Sequence, residues 1–155
     1  MKWISLSLSL LFLLGPVASH AQRNYLDIRL FHAAKSGHIH VVRELLKRGA
    51  NVNSYTADRE TPLHAAASTG KLQVIRLLLE NGAARDAKTR NAWIPLHHAV
   101  RFGHVPTVNF LLSQGSPLYL RTSGGKTVFD LSETMHNRHM LNVLNGWRSR
   151  LSRRR

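Results

Sequence analysis

Glycines at a fixed interval constrain this chain more than any other feature: Gly37, Gly70 and Gly103 stand 33 residues apart, and so do Gly49, Gly82 and Gly115. The text around them recurs too. AAKSGHIHVVRELLKRGANVN is followed by TPLHAAASTGKLQVIRLLLENGA and then by IPLHHAVRFGHVPTVNFLLSQGS. A unit this short cannot bury an apolar face alone, so neighbouring copies must stack to make the core.

Each copy reads as two helices. Pro62 and Pro95 sit at a helix start, where the missing N–H wastes no hydrogen bond, and Thr61 before Pro62 is placed to cap. Leu63, Ala66 and Ala67 put a leucine and two small residues on one face of the first helix, which lets adjacent helices approach closely. Val74, Ile75, Leu78 and Leu79 recur at spacings of three and four, the stripe of a second helix packed on one side. Gly49, Gly82 and Gly115 then end the second helices, where the chain needs a left-handed residue.

The 33-residue period and the Thr-Pro-Leu-His-x-Ala text together resemble the ankyrin repeat family across nearly all of Ile28 to Trp147. The resemblance implies an all-α solenoid of about four stacked helix-turn-helix repeats joined by short β-turn or hairpin loops. The repeats run about 28–60, 61–93, 94–126 and 127–147. The first and last depart from the pattern, as end-capping repeats should. Ile28-Arg29-Leu30-Phe31 replaces Thr-Pro-Leu-His, with Asp27 as a possible cap. In the last repeat Thr127-Val128-Phe129-Asp130 stands there, His136 occupies the glycine place, and a final helix is expected over roughly Arg138 to Leu144. The family turn is usually Asp-x-x-Gly-x-Thr, and Arg59 and Ala92 stand where it has glycine, which puts the local geometry of two turns in question.

The same register explains TSGGKT, residues 122–127, which looks like the tail of a phosphate-binding loop. That loop needs a further glycine at position 120, where this chain has Leu120. Thr127 lies two periods after Thr61, so Gly124 and Gly125 fall on the turn leading into a repeat.

Residues 1–21 have the layout of a secretory signal peptide: Lys2, an uncharged apolar run from Trp3 to Leu14, Gly15-Pro16, then small residues for cleavage after Ala21 or Ser19. The run is shorter than the ~20 residues a membrane-spanning helix needs, and a buried first helix is the other reading. A mature chain from Gln22 would be periplasmic or secreted. With no cysteine it carries neither disulfide nor lipoprotein anchor, so packing alone must stabilise it. It keeps 21 basic against 8 acidic side chains, a formal charge of +13 that draws acidic partners.

Catalytic, cofactor and metal chemistry are not expected. The ten histidines include His38-x-His40 and His97-His98, but no set with metal-ligand spacing. The resemblance instead gives His64 and His97 the family's role of hydrogen-bonding the backbone of adjoining turns. The eight carboxylates come close in sequence only at Asp58 and Glu60, and no nucleophile stands with a base at recognisable spacing.

Partners of the family are typically held by the turn tips and the exposed side of the first helices. Carried onto this chain, those positions include Lys35, Asp58, Glu60, Ser68 and Asn91, and Tyr55, Lys88, Arg90, Trp93, Arg101, Phe102, Arg121 and Lys126 make up the partner-binding set. Aromatics and arginines together are the residue types that anchor protein interfaces. In this reading Trp93 and Phe102 form a hot spot ringed by bases, and the partner is a protein with an acidic or mixed surface. The competing reading is that both rings fold down and seal the stack. Residues 148–155 form a basic tail whose Arg148, Arg150, Arg153, Arg154 and Arg155 suit an anionic polymer or membrane surface, or simply keep the chain soluble. The tail lacks the interleaved aromatics that stack on single-stranded bases, so nucleic acid is not expected.

Overall fold

The computed structural model describes residues 15–153, with side chains from Gln22 onward. The apolar run Trp3–Leu14 and Arg154 and Arg155 lie outside the described residues. Within them the chain forms helices and no strand: α1 Gly15–Ser36, α2 Ile39–Lys47, α3 Pro62–Ser68, α4 Leu72–Glu80, α5 Pro95–Arg101, α6 Val105–Ser113, α7 Val128–Thr134 and α8 Arg138–Ser152. Helices α1, α3, α5 and α7 pack in succession as one layer, and α2, α4, α6 and α8 as another. This is the all-α solenoid the repeat text implies. Of the described helices, none is long and apolar enough to cross a membrane.

Burial follows the period. Ala33, Ala66 and Ala99 are buried one repeat apart, so the inner helices approach over small side chains. In the outer layer Leu45, Leu78, Leu111 and Leu144 form a continuous buried ladder, each burial contributing roughly 1.5–3 kcal/mol.

Two inner-helix histidines tie the repeats together. His64 Nδ1 accepts from the Thr61 N–H at 3.1 Å, which leaves the proton on Nε2 to donate to the Trp93 carbonyl of the next turn at 3.1 Å. One repeat on, His97 Nδ1 accepts from the Ile94 N–H and Nε2 donates to the Leu120 carbonyl at 3.1 Å. Burial holds His97 below the usual imidazole range and His64 down at about 4, so both are neutral at pH 7. In the last repeat Asp130 takes this place and only caps, its Oδ2 accepting from the Thr127 N–H and hydroxyl at 2.7 Å. His104, after the third loop glycine, lies over the loop below and its Nε2 donates to the Ser68 carbonyl at 3.0 Å. A Cβ on Gly70 would come within 2.6 Å of that ring, so the loop there has to be glycine.

The turns keep their shape where glycine is missing. Arg59 and Ala92 adopt φ of 61° and 56°, close to the 73° of Gly125 at the same place in the following turn. His136 likewise takes φ 53° in its loop. Threonine substitutes for the family aspartate: Thr56, Thr89 and Thr122 each accept through Oγ1 from the N–H four residues on, at 3.1–3.2 Å.

Both ends differ from the sequence expectation. Asp27 is not a cap, because α1 runs unbroken through it; its Oδ1 instead accepts from the Asn51 N–H at 2.6 Å. Helix α8 does not stop near Leu144. At the places of Gly49, Gly82 and Gly115 it has Arg148, and without a left-handed residue to end it the helix continues to Ser152. The basic tail is therefore helical through its first residues.

Candidate functional site

The exposed ends of the inner helices and the turns beside them enclose a groove of ≈440 Å³ across the first three repeats. The segment leading into α5 passes through a turn closed by the Ala92 N–H on the Thr89 carbonyl, with Ala92 at φ 56°. Thr89, Asn91 and Trp93 line the groove, whereas Lys88, Arg90 and Ala92 do not.

Trp93 is half-buried and packs against the core, while Phe102, the C-cap of α5, is 54% exposed. Arg101 lies between them, its guanidinium carbon 5.3 Å from the Trp93 ring centre and 5.9 Å from that of Phe102. His98 closes the floor, edge-on to Trp93 at 5.3 Å and to His64 at 5.4 Å. Burial first, and then the neighbouring His64, His97 and Arg101, push His98 down to about 3. Its Nε2, 4.0 Å from Glu60 Oε1, therefore belongs to a neutral ring and forms no charged pair at pH 7.

Of the eight expected site residues, the groove brings together Trp93, Arg101 and Phe102. The ring of bases expected around them is not what lines it. Arg90 clamps one turn to the last, Nε donating to the Ala57 carbonyl at 2.6 Å and the backbone N–H to that of Asp58 at 2.9 Å. Arg121 is turned onto its own turn, where Nη1 donates to the Gly125 carbonyl at 2.6 Å. Lys88 and Lys126 are exposed outside the groove. Tyr55 lies against a separate ≈390 Å³ cleft beside Ile28 and Phe31.

The charges inside are instead balanced: Lys35 and Arg101 against Asp58 and Glu60. Lys35, Asp58, Glu60, Ser68, Thr89, Asn91 and His98 also line the groove and stand outside the site set. The signal for the carboxylates was in the period, since Glu60 and Trp93 are 33 residues apart and stacking sets such positions side by side. Among the described residues no cluster of three or more histidine, cysteine or carboxylate side chains is disposed to hold a metal.

A family model of ankyrin repeats, in three copies, matches residues 30–122. The chain belongs to the ankyrin-repeat family. Ankyrin repeats are in general protein-interaction modules without catalysis of their own. A comparison with curated proteins found no match.

Proposed function

We propose that this ankyrin stack binds a partner protein through the groove at Trp93, Arg101 and Phe102. The observation that carries the reading is Phe102: a large aromatic more than half exposed, beside an arginine already stacked and oriented. Trp93 fills two roles, since it packs against the core and also lines the groove. Balanced charge within the groove favours a mixed partner surface, with acidic groups placed over Lys88, Arg121 and Lys126 outside it. Long-range attraction to the basic chain speeds encounter, and the aromatics set residence time.

The clean variant is Phe102→Ala, because Trp93→Ala also removes packing. With a partner captured by the protein at ~0.5 M salt, where exposed charges are screened beyond a few ångströms, Phe102→Ala should weaken binding by ~2 kcal/mol. An unchanged affinity together with an unchanged melting temperature would remove the groove from consideration.

Export is part of the same proposal. Gln22 to Tyr25 are exposed and Leu26 is the first buried side chain described, so cleavage after Ala21 or Ser19 takes nothing from the described core. N-terminal sequencing of the protein from periplasm or medium decides it: a chain still starting at Met1 would overturn the assignment.

A further inference from the structure

Helix α8 begins one period after α6, at Arg138 against Val105, but has 15 residues to the other's 9. Its last six, Trp147 to Ser152, therefore overhang the end of the neighbouring helix by about 9 Å. Trp147 and Leu151 are four apart and continue one stripe from Val143. Leu151 is 38% exposed, and Trp147 is fixed at the base of the overhang, its Nε1–H donating to Asn109 Oδ1 at 2.7 Å. Arg150 lies over the Trp147 ring at 5.4 Å and Arg148 over Phe129 at 5.5 Å. The sequence from 148 to 155 holds five arginines, and no acidic side chain follows Glu133.

We propose that this overhang is a second docking surface, and that its occupant is the anionic face of a lipid bilayer. Charge complementarity alone would suit any polyanion. The apolar stripe separates the cases, since a tryptophan and a half-exposed leucine flanked by arginines gain from the headgroup–acyl boundary and nothing from a polymer of charge. Helix α8 belongs to the outer layer, whereas the groove is built from the ends of α1, α3 and α5 and their turns. Docking by the overhang therefore leaves the groove open, and neither site depends on the other.

The test is sedimentation of the purified protein with phosphatidylcholine vesicles, alone or with about one-third phosphatidylglycerol. The protein should bind only the anionic vesicles. Replacing Arg148, Arg150 and Arg153 by glutamine should weaken this roughly a hundredfold at low salt. Leu151→Asn, which leaves the charge unchanged, should weaken it several-fold. Thermal melts establish that both variants are folded, and the exposed Leu151 position keeps the test sharp should the triple variant misfold. Wild-type binding by Leu151→Asn refutes the lipid assignment, as does equally tight binding of long-chain polyphosphate. Undiminished binding to neutral vesicles, or no binding to anionic ones, refutes the surface altogether.

Discussion

Residues 59, 92 and 125 occupy one place in three consecutive turns, and they form a built-in experiment on backbone strain. The turns close with the same bond: the N–H of Arg59, Ala92 and Gly125 donates to the carbonyl three residues back at 2.8, 3.0 and 2.9 Å. All three residues have positive φ, but only the last is glycine. A left-handed conformation costs an L-residue about 1–2 kcal/mol. Glycine's extra freedom in the unfolded chain returns roughly 0.5–1 kcal/mol of that. Ala92→Gly should therefore stabilise by about 0.5–1 kcal/mol, raising the melting temperature by roughly 2–4 °C for a domain of this size. Gly125→Ala should do the reverse by a similar amount, because an added Cβ there meets nothing within 4 Å and only the strain is felt. Arg59→Gly should gain less, since Arg59 also lies over the Tyr55 ring at 5.8 Å. Urea titrations at neutral pH with an unchanged m-value are the assay. If Ala92→Gly destabilises and Gly125→Ala is neutral, positive φ is not what these turns cost.

Acid should unfold the stack through its buried imidazoles. The folded pKa values of His64 and His98 lie near 4 and 3, below the unfolded value of 6.5, so the unfolded chain takes up protons the folded one refuses. Stability is then complete above about pH 6.5 and falls as pH drops toward 4, by up to about 3 kcal/mol from His64 alone. The two rings are 5.4 Å apart and do not add independently. A melting temperature flat from pH 7 to 4.5 would contradict this. A chain starting at Gln22 should unfold at the same urea midpoint as the longer one; a loss beyond about 1 kcal/mol would mean that Gly15–Ala21 contributes packing of its own.

The period made the solenoid legible because a repeated text fixes which residues stack on which. Leu45, Leu78, Leu111 and Leu144 are one column in the sequence and one ladder in the core. The turn geometry at Arg59 and Ala92 was open for a different reason. Three aligned turns, joined by the Arg90 and Ser123 N–H bonds to the carbonyls of Asp58 and Asn91, override the local preference of a single residue. Asp27 misleads because a carboxylate before an apolar run is a fair cap signal, while its real partner, the Asn51 N–H, is 24 residues away. The length of α8 rests on a missing residue, a glycine at position 148, which is harder to notice than a present one. The groove was half legible: residue types marked Trp93, Arg101 and Phe102, but the turn closed between Thr89 and Ala92, and the bond from Arg90 to the Ala57 carbonyl, decided which neighbours line it, and so removed Lys88 and Arg90.

Charge is distributed so that the two proposed surfaces answer differently to salt. Among the described residues the one carboxylate within 4.0 Å of a basic side chain is Glu60, and its partner His98 is neutral. Stability therefore owes little to ion pairs and should change little between low and high ionic strength. The groove, with two bases and two carboxylates around aromatic rings, holds by desolvated contact that ions screen weakly. The overhang of α8 has arginines with no carboxylate among them, so its hold on an anionic surface decays steeply as salt rises. Raising salt on a vesicle-bound complex should accordingly release the protein from the lipid first, with its partner still seated. Loss of both together would mean that one surface does the work of two.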